Sequence, residues 1–175
     1  MLVGDIGSGS LGHRLEEPNM AFTSEAIVST VPIVIRRRAR FGECDPAGVV
    51  YTPVFSEYTM SAYQWTLSVL LGGPMLQMLK KLDFDSPIRA QSFDFMSVIT
   101  AEQVFEMTSL VGEIRNRTFD LLITGRSVGE GSRDLFSARI SPITVSRADR
   151  RSIAIPQSLR SQLERYQQRT QEAQP

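Results

Sequence analysis

The apolar positions of the chain change rhythm along its length. Val31 to Phe41 reads as a first strand. From Pro53 to about Leu71, the residues Phe55, Tyr58, Ala62, Trp65 and Val69 recur three and four apart, which lines one face of a helix. Thr52 suits the N-cap of that helix, Pro53 its first position, and Gly72-Gly73-Pro74 its end. A shorter helix is predicted near Met75 to Leu82. After Pro87 the pattern becomes that of strands: 88–99, 103–114, 118–128 and 135–145. The third alternates cleanly, with Phe119, Leu121 and Ile123 on one face, and Gly129-Glu130-Gly131-Ser132 supplies a hairpin turn after it. An Arg-rich connection over 146–155 leads to Pro156, which opens a polar helix predicted to fray by Gln168. Strands that follow one another after a single long helix favour an antiparallel sheet packed on that helix, an α+β architecture of about five strands. The boundaries expected are a flexible leader over 1–29, one domain over 30–167 and a polar tail over 168–175.

Composition narrows the chemistry. The 175 residues suffice for one domain with a core. Lys plus Arg and Asp plus Glu both number 19, so no global field favours nucleic acid or an anionic membrane. No apolar run is long enough to span a bilayer, and the N-terminus lacks the features of a signal peptide. The lone cysteine, Cys44, excludes an internal disulfide and suits a reducing compartment, so the cytoplasm is expected. The one histidine, His13, lies in the leader. A Ser-His-Asp or Cys-His site needs a structured imidazole, and zinc needs three or four ligands. No metal and no cofactor are therefore expected, and carboxylates and backbone dipoles are left to carry any chemistry.

Several motifs have bland readings beside sharp ones. Gly7, Gly9 and Gly12 match a dinucleotide-binding fingerprint, but without the flanking strand and helix they read as a Gly/Ser tract, and a start at Met20 would remove them. Arg36, Arg37, Arg38 and Arg40 read as a solvated or edge strand rather than a phosphate patch. Glu43 reads as a solvated turn charge, Glu57 as exposed, and Cys44 as a small buried filler. Asp45 precedes Pro46 in a turn, the usual place for a turn-forming Asp. It also stands seven residues before a helix start, where a carboxylate beside the positive end of a helix can serve hydrolysis.

The run Phe41-Gly-Glu-Cys-Asp-Pro-Ala-Gly-Val-Val-Tyr51 resembles the F-G-D-C-D-P-A-G-I-V motif of hotdog-fold acyl-CoA thioesterases, in their 4-hydroxybenzoyl-CoA thioesterase branch. Element order agrees over roughly 31 to 165, including Ile155-Pro156 before the last helix. The resemblance implies a sheet wrapped around a central helix, with Asp45 as the catalytic carboxylate and the Thr52 N–H as the donor that polarises the thioester carbonyl. It places Tyr51 and Met60 at the substrate, and Arg115 and Arg117 in the basic cluster that contacts the CoA nucleotide. Coenzyme A would enter as part of the substrate. It implies a homodimer, or a tetramer, with the site at the dimer interface; strand edges that need covering point the same way. Met60 stands where the 4-hydroxybenzoyl enzyme has an acid for the substrate's phenol. A thioether cannot accept that phenol's proton, so an aliphatic or unsubstituted aryl acyl group is expected.

Thioester hydrolysis fits these means, because the carbonyl is reactive and thiolate leaves readily. Asp45 as general base and Asp45 as nucleophile both stay open. So do an acyl carrier protein in place of CoA, and a catalytically silent acyl-binding or assembly protein on the same fold. A hydratase would resemble an Asp/His or Glu/His site, and the only histidine lies outside the predicted domain.

Overall fold

The computed structural model describes residues 24–173. Gly7, Gly9, Gly12, His13 and Met20 lie outside them. Strand structure begins inside the segment expected as leader: β1 (Glu25–Thr30) pairs antiparallel with β2 (Ile33–Arg38). The ladder slips between Ile27 and Ser29, and no residue of β1 is fully buried. Six residues so placed carry too little alternation to stand out in the sequence.

The remaining elements follow the predicted order. Helix α1 spans Val54–Leu71 and α2 spans Met75–Lys81. Then come β3 (Phe84–Asp85), β4 (Ile88–Phe95), β5 (Val104–Ile114), β6 (Phe119–Ser127), β7 (Asp134–Pro142), β8 (Val145–Ser146) and α3 (Gln157–Glu172). The main sheet has six strands in the order β1-β2-β5-β6-β7-β4, all neighbours antiparallel, and β3 pairs with β8 apart from it. The expected edge strand β2 is thus interior, between β1 and β5.

One face of the sheet is apolar and meets α1. Ile33 and Ile35 of β2, Phe105 and Met107 of β5, Leu121 and Ile123 of β6, and Phe136 and Ile140 of β7 are buried there. Each such side chain contributes roughly 1.5–3 kcal/mol. Phe136 lies across Gly125, where a Cβ would sit 2.2 Å from its ring, and so reaches Phe55 of α1 edge-on at 5.2 Å. The α1 stripe turns slightly from the expected one: Tyr63, Thr66 and Leu67 are buried, while Trp65 and Val69 are partly buried. Gly72, at φ 72°, ends the helix in the left-handed conformation, and the Gly73 N–H returns to the Ser68 carbonyl at 3.0 Å.

Helix α3 continues past its expected fraying point because its last turns are held. The Tyr166 hydroxyl accepts the Ile33 N–H (2.7 Å) and donates to the Ser109 carbonyl (2.6 Å), which ties α3 to β2 and β5. Gln167 Nε2 donates to the Gly112 carbonyl at 2.8 Å, and Thr170 is buried. The sheet edges are β1 and β4; the latter offers eight residues, most of them exposed.

Candidate active site

The loop between β2 and α1 is anchored at both ends. The Ala39 N–H binds the Gln103 carbonyl (2.9 Å) and the Val50 N–H binds the Ile99 carbonyl (2.8 Å), so both ends rest on the β4–β5 connection. Between them the chain folds back on itself, with a Cys44–Val50 bridge and the Asp45 N–H on the Val49 carbonyl at 2.9 Å. Gly48, at φ 79°, closes this turn onto the Asp45 carbonyl.

Glu43 is not the solvated turn charge expected; it is 5% exposed. Its carboxylate accepts Arg37 Nη2 (2.6 Å), Arg40 Nε (2.8 Å), the Arg40 N–H (2.8 Å) and the Tyr58 hydroxyl (2.8 Å). Arg37 is also not solvated: it lies between Glu43 and Glu25 with its guanidinium 4.4 Å from the centre of the Tyr58 ring. Glu25 in turn accepts hydrogen bonds from Ser61 and Trp65. Two carboxylates and two guanidiniums thus neutralise one another. Burial opposes the charge on Glu43, but the Arg40 N–H, the Tyr58 hydroxyl and Arg37 hold its carboxyl below the ordinary value. Burial pushes the Tyr58 phenol up, and its hydrogen bond to anionic Glu43 adds to the shift. The Cys44 thiol is also pushed up, by burial and by Glu43 and Asp45, so it is no activated nucleophile.

Asp45 is half-buried. Its Oδ1 accepts the Ala47 N–H at 2.8 Å, and no group among the described residues donates to its other oxygen. It lines a shallow depression of about 280 Å³ with Pro46, Tyr51 and Val54. Exposed Tyr51 is fixed through its N–H to the Glu43 carbonyl at 2.9 Å. Thr52, the next residue, makes no side-chain cap; α1 starts one residue later than expected, with Pro53 at the cap position. Backbone turns do the capping instead, with Val54 N–H on Tyr51 O (2.9 Å) and Phe55 N–H on Thr52 O (3.2 Å). The Thr52 N–H itself has no acceptor among the described residues and stands at the positive end of α1.

Thr52 opens onto a second cleft of about 280 Å³, lined by Phe55, Phe95, Met96, Val98 and Ile99. Phe95 is 51% and Val98 57% exposed there. Asp45 and Thr52 therefore belong to one short loop but face separate depressions in the single chain. Met60 lies further along α1, in a cleft of about 370 Å³ against Ile88 to Gln91 of β4, where Gln91 Nε2 donates to Ser56 Oγ at 3.0 Å.

Arg115 and Arg117 stand elsewhere. They occupy the β5–β6 connection, at the opposite end of β5 from Gln103, roughly 40 Å away at strand rise. Arg115 is held by Asp120 (2.9 and 3.0 Å) and Glu113 (2.6 Å), whereas the Arg117 side chain, among the described residues, donates only to Ser152 Oγ at 3.0 Å. The Arg115 hydrogen bond is the main cause of an Asp120 carboxyl held below its ordinary value. One chain does not bring these arginines to Asp45.

The buried network escaped the sequence reading. Glu25 lay in the expected leader, and nothing in the spacing of Glu43 and Tyr58 marks them as partners. Among the described residues no group of three His, Cys, Asp or Glu could hold a metal ion, and no helix is long and apolar enough to cross a membrane.

No protein-family model and no curated protein matches this sequence. Solved structures match its fold. The 1,4-dihydroxy-2-naphthoyl-CoA thioesterase of Synechocystis is 19% identical with a TM-score of 0.66, over 74% of this chain and 93% of that one. The 4-hydroxybenzoyl-CoA thioesterase of a Pseudomonas strain is 20% identical with a TM-score of 0.67, over 74% and 97%. A Staphylococcus aureus protein in complex with CoA is 13% identical with a TM-score of 0.71, over 78% and 84%. The chain has the α+β hotdog fold of these proteins.

Proposed function

We propose that the chain is a thioester hydrolase that cleaves acyl-CoA to a free acid and CoA. The observation that carries this reading is a carboxylate with an unoccupied oxygen, Asp45, on the same tight loop as the open Thr52 N–H at the start of α1. In the reaction the Thr52 N–H and the helix dipole stabilise the oxygen of the thioester carbonyl as charge grows on it. Asp45 takes a proton from water, whose oxygen forms the new C–O bond as the C–S bond breaks, and the leaving thiolate takes up that proton. Alternatively, Asp45 attacks the carbonyl directly and expels the thiolate; water then hydrolyses the acyl-aspartyl anhydride, which releases the acid, restores the carboxylate and supplies the thiolate's proton. The fold shared with named CoA thioesterases, and with a protein in complex with CoA, supports CoA as the carrier.

The apolar cleft beside Thr52 suits an aromatic or aliphatic acyl group, and the weak thioether acceptor of Met60 cannot replace a carboxylate for a phenol. The active unit is a homodimer. Free strand β4 and the exposed apolar residues beside it would join a second copy, whose surface would close the two depressions into one site. Arg117 would reach the CoA nucleotide only from another subunit; Arg115 is the weaker candidate because Asp120 already occupies it. A single cysteine and a CoA substrate are consistent with a reducing, cytoplasmic setting.

Thiol release from aromatic, short, medium and long acyl-CoAs, run beside Asp45→Asn, tests the proposal. Turnover in the parent and its loss in the variant, with assembly retained, supports it. Near-parental activity in Asp45→Asn removes Asp45 from the mechanism, and no turnover of any acyl-CoA leaves a binding protein.

A further inference from the structure

Two of the loop's functional groups hang from one residue. The Glu43 carbonyl holds the Tyr51 N–H, so it sets the backbone immediately before Thr52. Asp45 lies two residues after Glu43, inside the Cys44–Val50 bridge. The Glu43 carboxylate reaches away from both, to Arg37 of β2, to the start of its own loop at Arg40 and, through Tyr58, to the second turn of α1. A rotation of Glu43 would therefore move Asp45 and the helix start relative to each other. A displacement of about 1 Å in such a pair can cost on the order of 10²-fold in rate.

We infer that Glu43, with Tyr58 as its tether to α1, is a positioning residue that fixes the Thr52 N–H and the Asp45 carboxylate relative to each other. It touches no substrate and acts through the loop. The four donors to its carboxylate come from three elements, β2, the loop and α1, and fill both oxygens, two donors on each, so the side chain is fixed from three directions. The inference rests on the thioesterase reading for its consequence, not for its geometry.

The test uses the full chain with Glu43→Gln, which keeps the shape and removes the charge, and Tyr58→Phe, which removes one hydroxyl. With a hydrolysed acyl-CoA, kcat should fall about tenfold or more in Glu43→Gln and several-fold in Tyr58→Phe, with KM within about twofold. Amide exchange across 44–52 should quicken about tenfold, while exchange in β5 and β6 stays as in the parent. A kcat per folded subunit within about twofold of the parent in both variants overturns the inference, even where thermal stability drops. If the parent hydrolyses no acyl-CoA, the thioesterase reading fails, and amide exchange decides alone: unchanged protection of 44–52 in both variants overturns the positioning role. Should Glu43→Gln not fold, Tyr58→Phe carries both measurements.

Discussion

The two flanks of the β2–α1 loop are built in opposite ways. On the β1 flank four charges answer one another: Glu25, Arg37, Glu43 and Arg40 pair within the chain, and Tyr58 and Trp65 complete their shell. On the β4 flank the chain stops short, with a bare strand edge, exposed Phe95, Met96 and Val98 and an open Thr52 N–H, and the half-covered Asp45 lies on the loop between the two. The difference separates holding from reacting. A buried ionic network has little freedom once formed, so it can fix a loop, while groups that must meet a substrate have to be left without partners.

Removing the carboxylate proposed to react should have the largest effect. Asp45→Asn is expected to lower kcat by about 10²–10⁴-fold in the thiol-release assay. An equally large loss of stability in that variant would blur the contrast, because among the described residues Asp45 takes no part in the ion-pair network. Breaking the closed flank should act on stability instead. Arg37→Ala leaves Glu25 and Glu43 buried without their shared cation, and should cost about 3–5 kcal/mol in urea unfolding. Gly125→Ala separates packing from charge: a Cβ there collides with the Phe136 ring and should cost about 1–3 kcal/mol with the ionic network intact.

On the open flank, Val98→Glu should weaken self-association about tenfold in sedimentation velocity, with little change in the unfolding of the subunit itself. A comparable effect from Val128→Glu, at the exposed β6–β7 turn, would show that the β4 flank is not special. The smallest effect concerns pH. Folding holds the Glu43 carboxyl below its ordinary value, so its contribution to stability is present above the ordinary carboxylate range and is lost as pH falls through the lowered value. Stability should therefore drop on acidification, and Glu43→Gln should make that drop shallower without abolishing it. Asp120, lowered by Arg115, contributes in the same direction.

Much of the fold was legible because it is periodic. Phe119, Leu121 and Ile123 alternate, Phe55, Tyr58 and Ala62 recur at helical spacing, and Gly72 ends α1 where the Gly-Gly-Pro run predicted. Strand β1 was missed because it is short, irregular and half-exposed, so no face of it is marked strongly by apolar residues. Arg37 and Glu43 were misjudged for another reason: charge in a sequence signals exposure unless its partner is known, and here the partners are Glu25 and Tyr58. Thr52 was expected to cap α1 with its side chain, yet backbone turns took that role and left its N–H open.

By itself the sequence determined the element order, the antiparallel α+β plan and the place of Asp45 before a helix, since each depends on local spacing and turn chemistry. Only the tertiary structure decided that Glu43 is buried, that Asp45 and Thr52 face different depressions in one chain, and that Arg115 is occupied by Asp120 about a strand's length from both. Those are pairings between residues whose separation in sequence carries no period. Their energies depend on which groups the folded chain brings together and seals from water.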